Sequence, residues 1–501
     1  MRKLIKSVVS FSIALPLFGV KQVVNILSAK EESDGSLATS MDSVTQATKR
    51  QMGDTIEGVF DSGDKLQRNV MDKVFDSISG SELESNADAV GQTKAAIHTV
   101  DSGKLDTNTF VVVGEGLAAG FVDFGLQQVF QEDSFPAQMA RQMQTRFEQP
   151  LIQAPGIGQP TGFEQLPVVL PAHFQTTVRD NVDARALCNL SIPGFTVEDA
   201  LRLRPELPVI HRDDHKKTSA NLILGFEEFS QGKAEIRQTQ FEYAQSRNPS
   251  FALVALGFQE VLEAATGGGA WPEEGAFRDN YEKVLKAFRE QGAEVLLVNI
   301  PDPLDTAYFS TLESAARNLK VEPSVLRKSY DLAEDVVITT DGLMEMGCQF
   351  MSGSLSQLPE GSVLNSDAIG KIREGVSALN QTITELAEAH GALVYDLHTF
   401  YHNIHVSGAA MGSRTLSADF LGGFYSLNGY YPGPTGHALI ANDVLHLLNN
   451  VYGATFPTID VEEVMQRDPV ADYQQAEGPI LALDDLANVA AQMPDPPQPS
   501  P

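Results

Sequence analysis

The sequence predicts a three-layer α/β domain, in which a parallel sheet is covered by helices on both faces. Three observations lead there. The runs TFVVVG (109–114), SFALVALG (250–257), AEVLLVNI (293–300) and ALVYDL (392–397) are short, apolar and charged only near their ends, as strands buried on both faces are. Longer amphipathic stretches at 275–291, 365–390 and 435–452 alternate with them, which implies strand–helix–strand units. The chemically suggestive motifs lie at the carboxyl ends of these strands or in helix-entry loops, where such sheets hold ligands.

The elements follow in chain order. In MRKLIKSVVSFSIALPLFGV, Arg2, Lys3 and Lys6 precede an apolar run of signal-peptide length, too short for a comfortable membrane span. Residues 1–29 are therefore expected to be a signal peptide or N-terminal hydrophobic segment of an exported protein, in the bacterial periplasm, at the cell surface or secreted. An amphipathic helix continuing through Val23, Val24 and Ile26 is the alternative, and it would bring the N-terminus close to a membrane. From 30 to 104 the chain is polar, with Ile56, Val59, Phe60, Val70, Val74, Phe75 and Ile78 at helical spacing, the pattern of a helical extension with a packing face. The α/β domain is assigned to 105–455. Residues 456–501, acidic and ending in MPDPPQPSP, are expected to be a flexible tail.

Composition narrows the function classes. A chain of 501 residues accommodates one large domain with extensions, or two or three domains. With 36 Lys and Arg against 66 Asp and Glu, the net charge of −30 repels phosphate backbones, so a nucleic-acid role is not expected. Cys188 and Cys348 lie far apart and form neither a metal cluster nor a disulfide framework; whether they pair stays open.

The first strand runs into GEGLAAGF (114–121), a glycine-rich turn of the kind that holds a nucleophile in many α/β enzymes. Further blocks follow in order: NLSIPGFTVEDAL (189–201), LGFQEVL (256–262), NIPDPLDTAYF (299–309) and FYSLNGYYPGPTGHALIAN (424–442). Across about residues 105 to 455 these blocks resemble the SGNH or GDSL hydrolases, serine esterases and lipases with a flavodoxin-like parallel sheet. Ordered blocks are more specific than any single short motif. The resemblance implies a serine nucleophile in the first block and an oxyanion hole built from the serine amide, a glycine of the second block and an asparagine of the third. It also implies an aspartate three residues before a histidine in the last block.

At the matching positions this chain has Gly116 for the serine, Gln259 for the asparagine, Asn428 for the aspartate and Tyr431 for the histidine, while Gly194 keeps the second-block glycine. Gly116 has no side chain to attack with. Tyr431 is no neutral-pH base, because a phenol titrates near 10. Asn428 carries no charge to stabilise an imidazolium. Gln259 keeps an amide on a stem one methylene longer. Losing a triad nucleophile or base costs on the order of a millionfold in rate.

Other groups could supply chemistry. Glu115 and Glu260 could act as acid and base, His437 could replace the missing base, and Trp271, the only tryptophan, could line a pocket behind the glycine run TGGGAW (266–271). Their bland readings are elbow and helix residues that point away, pack or hydrogen-bond within the scaffold. HRDDH (211–215) has metal-compatible spacing, yet a solvated loop is expected; DLHTFYHNIH (396–405), with His398, His402 and His405, is read as a helix surface. With these histidine groups read as surface, no metal is expected, and APGIGQP (154–160) lacks the features of a phosphate-binding loop or dinucleotide site, so no cofactor is expected.

The leading expectation is a catalytically silent hydrolase relative with a pocket for an acyl, lipid or carbohydrate ligand, or for a protein partner. An active carboxylester hydrolase using unmatched groups and a structural envelope protein are the alternatives.

Overall fold

The computed structural model describes residues 100–153, 156–158, 186–211, 214–225, 237–352, 355–412, 414–420, 422–468 and 471. The N-terminal segment 1–29, most of the 30–104 extension, Arg212 and Asp213 of the HRDDH motif, and the tail beyond 471 lie outside the described residues.

Four predicted runs form one parallel sheet. Its strands are β1 (Phe110–Gly114), β2 (Phe251–Ala255), β3 (Glu294–Val298) and, far downstream, Leu393–Tyr395. β1 pairs with β2 in register Val112↔Leu253, β2 with β3 in register Leu253↔Leu296, and β3 with the last strand in register Leu297↔Val394. Every residue of β1 and β2 is buried, which explains why these runs lack polar alternation. A further segment runs parallel on the free edge of β1, where Val112 N–H donates to the Cys188 carbonyl and Leu190 N–H to the Val112 carbonyl. Counting that segment second in chain order, the strands lie 2-1-3-4-5.

Helices make the outer layers of this three-layer α/β/α domain. They begin with α1 (Gly116–Ala119), α2 (Phe135–Gln142), α3 (Val197–Arg202), α4 (His215–Leu224), α5 (Gln240–Ser246), α6 (Phe258–Ala265) and α7 (Glu274–Glu290). Helices α3, α5 and α7 pack on one another, and α5 and α7 reach β1 and β3. The capping boxes Thr196–Asp199 and Thr239–Glu242 start α3 and α5, each satisfying free backbone N–H groups with a hydroxyl and a carboxylate.

Among the described residues, 307–370 form a second compact unit inserted after β3. Its antiparallel sheet comprises β4 (Phe309–Thr311), β5 (Val337–Thr339) and β6 (Val363–Leu364). Helices α8 (Leu312–Leu319), α9 (Pro323–Tyr330) and α10 (Thr340–Ser352) close a core of its own around Leu312, Leu326, Ile338 and Met346. These strands are two or three residues long, too short to leave a periodic signal in the sequence.

After the insertion come α11 (Ser366–His390), β7 (Leu393–Tyr395, the last strand of the parallel sheet), α12 (Leu397–Ser407), α13 (Pro434–Tyr452) and α14 (Val461–Arg467). α13 packs against α2 and α14. Residues 456–468, assigned to the tail on composition, thus include a helix that folds back: Asp468 Oδ2 accepts bonds from the Thr435 N–H (2.9 Å) and hydroxyl (2.7 Å), capping α13 from outside its own segment. No helix among the described residues is long and apolar enough to cross a membrane.

Candidate functional site

β1 delivers the chain to the elbow. Glu115 caps α1, its Oε1 accepting the Leu117 N–H at 3.2 Å, and Gly120 ends the helix after four residues in the left-handed region. In this turn stands Gly116, and the space a side chain there would need is taken. A Cβ there would lie 2.6 Å from Tyr431 Cε2 and 2.7 Å from Cζ and the hydroxyl oxygen. Gly116 and Tyr431 therefore fit closely against each other, a reciprocity that reading the motifs one at a time did not disclose.

Tyr431 is held from all sides. It is 2% exposed, and its ring meets Phe121, Phe258 and Tyr430 edge-on at 6.0, 6.0 and 4.9 Å. Its hydroxyl donates to Glu115 Oε2 and lies 3.4 Å from Gln259 Oε1. Burial pushes the phenol well above its ordinary value, and the Glu115 carboxyl beside it pushes further the same way. Glu115 is pushed up to about 7 by its own burial, against the lowering effect of the Tyr431 and Leu117 bonds. The pair is a neutral donor on a desolvated carboxyl group.

The other positions have structural partners. Gln259 turns its amide nitrogen to Glu263 Oε1, one helical turn on, at 2.8 Å, and only its oxygen faces Tyr431. Gly194 keeps the left-handed turn (φ 83°) that a glycine accommodates without strain. Glu260 is pushed up to about 7 by burial; its Oε1 accepts the Val197 N–H at 2.7 Å and ties α6 to the start of α3, while its buried Oε2 has no hydrogen-bond partner among the described residues. Its charge raises the Glu115 value further, so the structure does bring these carboxylates within electrostatic reach. Asn428 accepts the N–H groups of Tyr430 (3.0 Å) and Tyr431 (2.9 Å) on Oδ1 and so shapes the turn that presents the phenol.

His437 and Trp271 pack. His437 is fully buried in α13, accepts the Phe135 N–H on Nδ1 at 3.3 Å and stacks on the Phe135 ring; burial pushes its imidazole down to about 3. The Trp271 indole rests on Gly375 of α11, where a Cβ would come within 2.0 Å of the ring. Cys188 and Cys348 are free thiols. His211 and His215 sit at the start of α4, Asp214 capping it through the Lys217 N–H (2.8 Å). Among the described residues, no three His, Cys, Asp or Glu side chains are placed to hold a metal ion.

Sequence reasoning missed Asp123. Its Oδ1 accepts the Leu427 N–H at 2.9 Å and its own N–H donates to Ser426 Oγ at 3.3 Å, pinning the Tyr431 loop; burial pushes its carboxyl up to about 7. The one signal was an aspartate followed by an aromatic residue in a turn, at φ 51° and 64°.

No family model and no curated protein matches the chain. Among solved structures it is similar to TesA (10% identity over 68% of this chain and 98% of that one, TM-score 0.29). It is also similar to LAE5, an α/β hydrolase enzyme from the metagenome of Lake Arreo, Spain (10%, 69% and 96%, TM-score 0.31). A third is a protein described as a GDSL-like lipase from Parabacteroides merdae (9%, 70% and 97%, TM-score 0.30).

Proposed function

We propose that this chain is a catalytically silent relative of the SGNH/GDSL hydrolases, exported from the cell, that works by binding an acyl, lipid or carbohydrate ligand or a protein partner. The observation that carries this reading is the Tyr431 phenol packed where a nucleophile's side chain would stand, with Gly116 beneath it. The strand order 2-1-3-4-5, which is that of flavodoxin-like sheets, supports the fold side of the proposal.

Acyl transfer at this elbow would need an oxygen with a base to take its proton. Gly116 supplies none. Tyr431 is the nearest hydroxyl, but it is buried, bonded to Glu115 and strongly disfavoured as a phenolate. Backbone amides at Gly116 and Gly194 alone would leave roughly a thousandfold over water.

A fluorophosphonate probe on the full chain tests the reading. No label is expected within 111–120 or elsewhere in the larger unit, and no turnover of long-chain acyl esters. Stoichiometric labelling of one serine, with turnover of such esters lost on its replacement by alanine, would overturn it. Fractionation of cells expressing the natural chain tests export: recovery only from the cytoplasm contradicts that part.

A further inference from the structure

The loop that carries Tyr431 has a stem and a tip, and the two are held in different ways. In the stem the Gly433 N–H donates to the Phe424 carbonyl at 3.0 Å, Tyr425 pairs antiparallel with Pro432, and the buried Tyr425 hydroxyl donates to the Asp305 carbonyl at 3.3 Å. The tip, residues 426–431, closes on itself: the Ser426 N–H donates to the Tyr431 carbonyl at 2.9 Å, the Gly429 N–H to the Ser426 carbonyl at 3.0 Å, and Asn428 Oδ1 accepts the N–H groups of Tyr430 and Tyr431. Its hold on the elbow runs through two carboxyl groups of the segment that follows β1. Glu115 Oε2 accepts the Tyr431 hydroxyl, and Asp123 Oδ1 accepts the Leu427 N–H at 2.9 Å. Beneath the phenol lies Gly116.

The groups that face these two carboxyls are phenols and further carboxyls. Glu115 meets Tyr431 of the tip and Tyr401 of α12, with Glu260 of α6 within electrostatic reach; Asp123 meets Asp468, which follows α14. No lysine, arginine or histidine is among these groups. A buried carboxyl in such company keeps its proton, whereas one returned to water gives it up. We propose that residues 426–431 form a proton-latched lid over the elbow, shut while Glu115 and Asp123 are protonated and released by their ionisation, which uncovers Gly116. The lid and the binding role proposed above stand or fall separately. The sign follows from the two states. Burial holds both carboxyls at about 7 with the lid shut, against ordinary values of 4.5 for Glu115 and 3.8 for Asp123. Between those values and 7, opening therefore releases one proton from each group. Each released proton raises the opening constant about tenfold per pH unit, or about 300-fold in all for Glu115. Above 7 both states are ionised and the dependence stops.

Hydrogen exchange of the full chain, read by mass spectrometry from pH 5 to 8.5 and corrected for the intrinsic pH dependence of amide exchange, tests the lid. Protection of peptides covering 424–433 is expected to fall by about tenfold or more per pH unit between 5 and 7 and then to level off. At each pH these amides should exchange faster than those pairing β1 with β2, and independently of low urea concentrations, as local opening does. Glu115→Gln and Asp123→Asn, which cannot ionise, should each remove part of the slope and together flatten it. Protection over 424–433 that stays constant from pH 5 to 7 in the wild type overturns the proposal. So does a slope that survives in the folded double variant. Protection equal to that of the β1–β2 amides at every pH overturns it as well, because the tip would then be released only by unfolding.

Discussion

Gly116→Ala puts the mutual fit of Gly116 and Tyr431 under direct test. Gly116 has no left-handed φ, so the cost of a methyl group there is steric: at 2.6 to 2.7 Å from Tyr431 it sits about an ångström inside ordinary contact. Neither the ring, enclosed by Phe121, Phe258 and Tyr430, nor its hydroxyl, bonded to Glu115, is free to retreat. Overpacking of this kind costs about 1–3 kcal/mol. Tyr431→Ala alone should cost about 3–5 kcal/mol as a large-to-small core change. In the double variant the methyl group has room, so the combined loss should fall short of the sum by about 1–3 kcal/mol. Urea unfolding followed by fluorescence of Trp271, the only tryptophan and part of the same unit, measures all three. Losses that add to within about 0.5 kcal/mol would refute the reasoning, since non-contacting residues behave that way.

Other perturbations follow from the same geometry. Because the folded state raises Glu115 from 4.5 to about 7, its contribution to stability is present below about pH 4.5 and lost as pH rises through 7, a difference of about 3 kcal/mol. Glu115→Gln removes that dependence, so the gap between variant and wild-type urea midpoints should shift in the variant's favour from pH 5 to pH 8; superimposable profiles would contradict the burial argument. Asp468→Ala strips α13 of its cap and should lower stability by about 1–2 kcal/mol in the same unfolding assay. The His437 ring, pushed down to about 3, should show no NMR titration between pH 5 and 8; an inflection near 6.5 would mean that it is solvated. Gly375→Ala should dislodge the Trp271 indole and shift its emission to the red, whereas an unchanged spectrum would place the ring elsewhere.

Much of the architecture was legible because buried parallel strands leave uninterrupted apolar runs: those at 109–114, 250–257, 293–300 and 392–397 became β1, β2, β3 and β7 to within two residues at each end. The 307–370 insertion was not legible, because its strands are too short for a period and its core is drawn from scattered Leu, Ile and Met residues. At the site, the identities at 116, 259, 428 and 431 could be read one at a time. Their partners could not, since Glu115 and Tyr431 are 316 positions apart. Trp271 and His437 illustrate the same limit: burial, which decides between packing and chemistry, depends on residues remote in the chain.

By itself the sequence determined which local conformations were available: apolar runs that must be buried as strands, capped amphipathic helices, glycines at 116 and 194, and a chain with no hydroxyl at the elbow. Only the tertiary structure decided what those residues do, because a side chain's chemistry is set by desolvation and by the atoms within about 4 Å of it. Bringing Tyr431 over Gly116 and onto Glu115 turned an empty position into a filled one, and laying His402 on Asp305 set an exposed imidazole against a buried carboxylate.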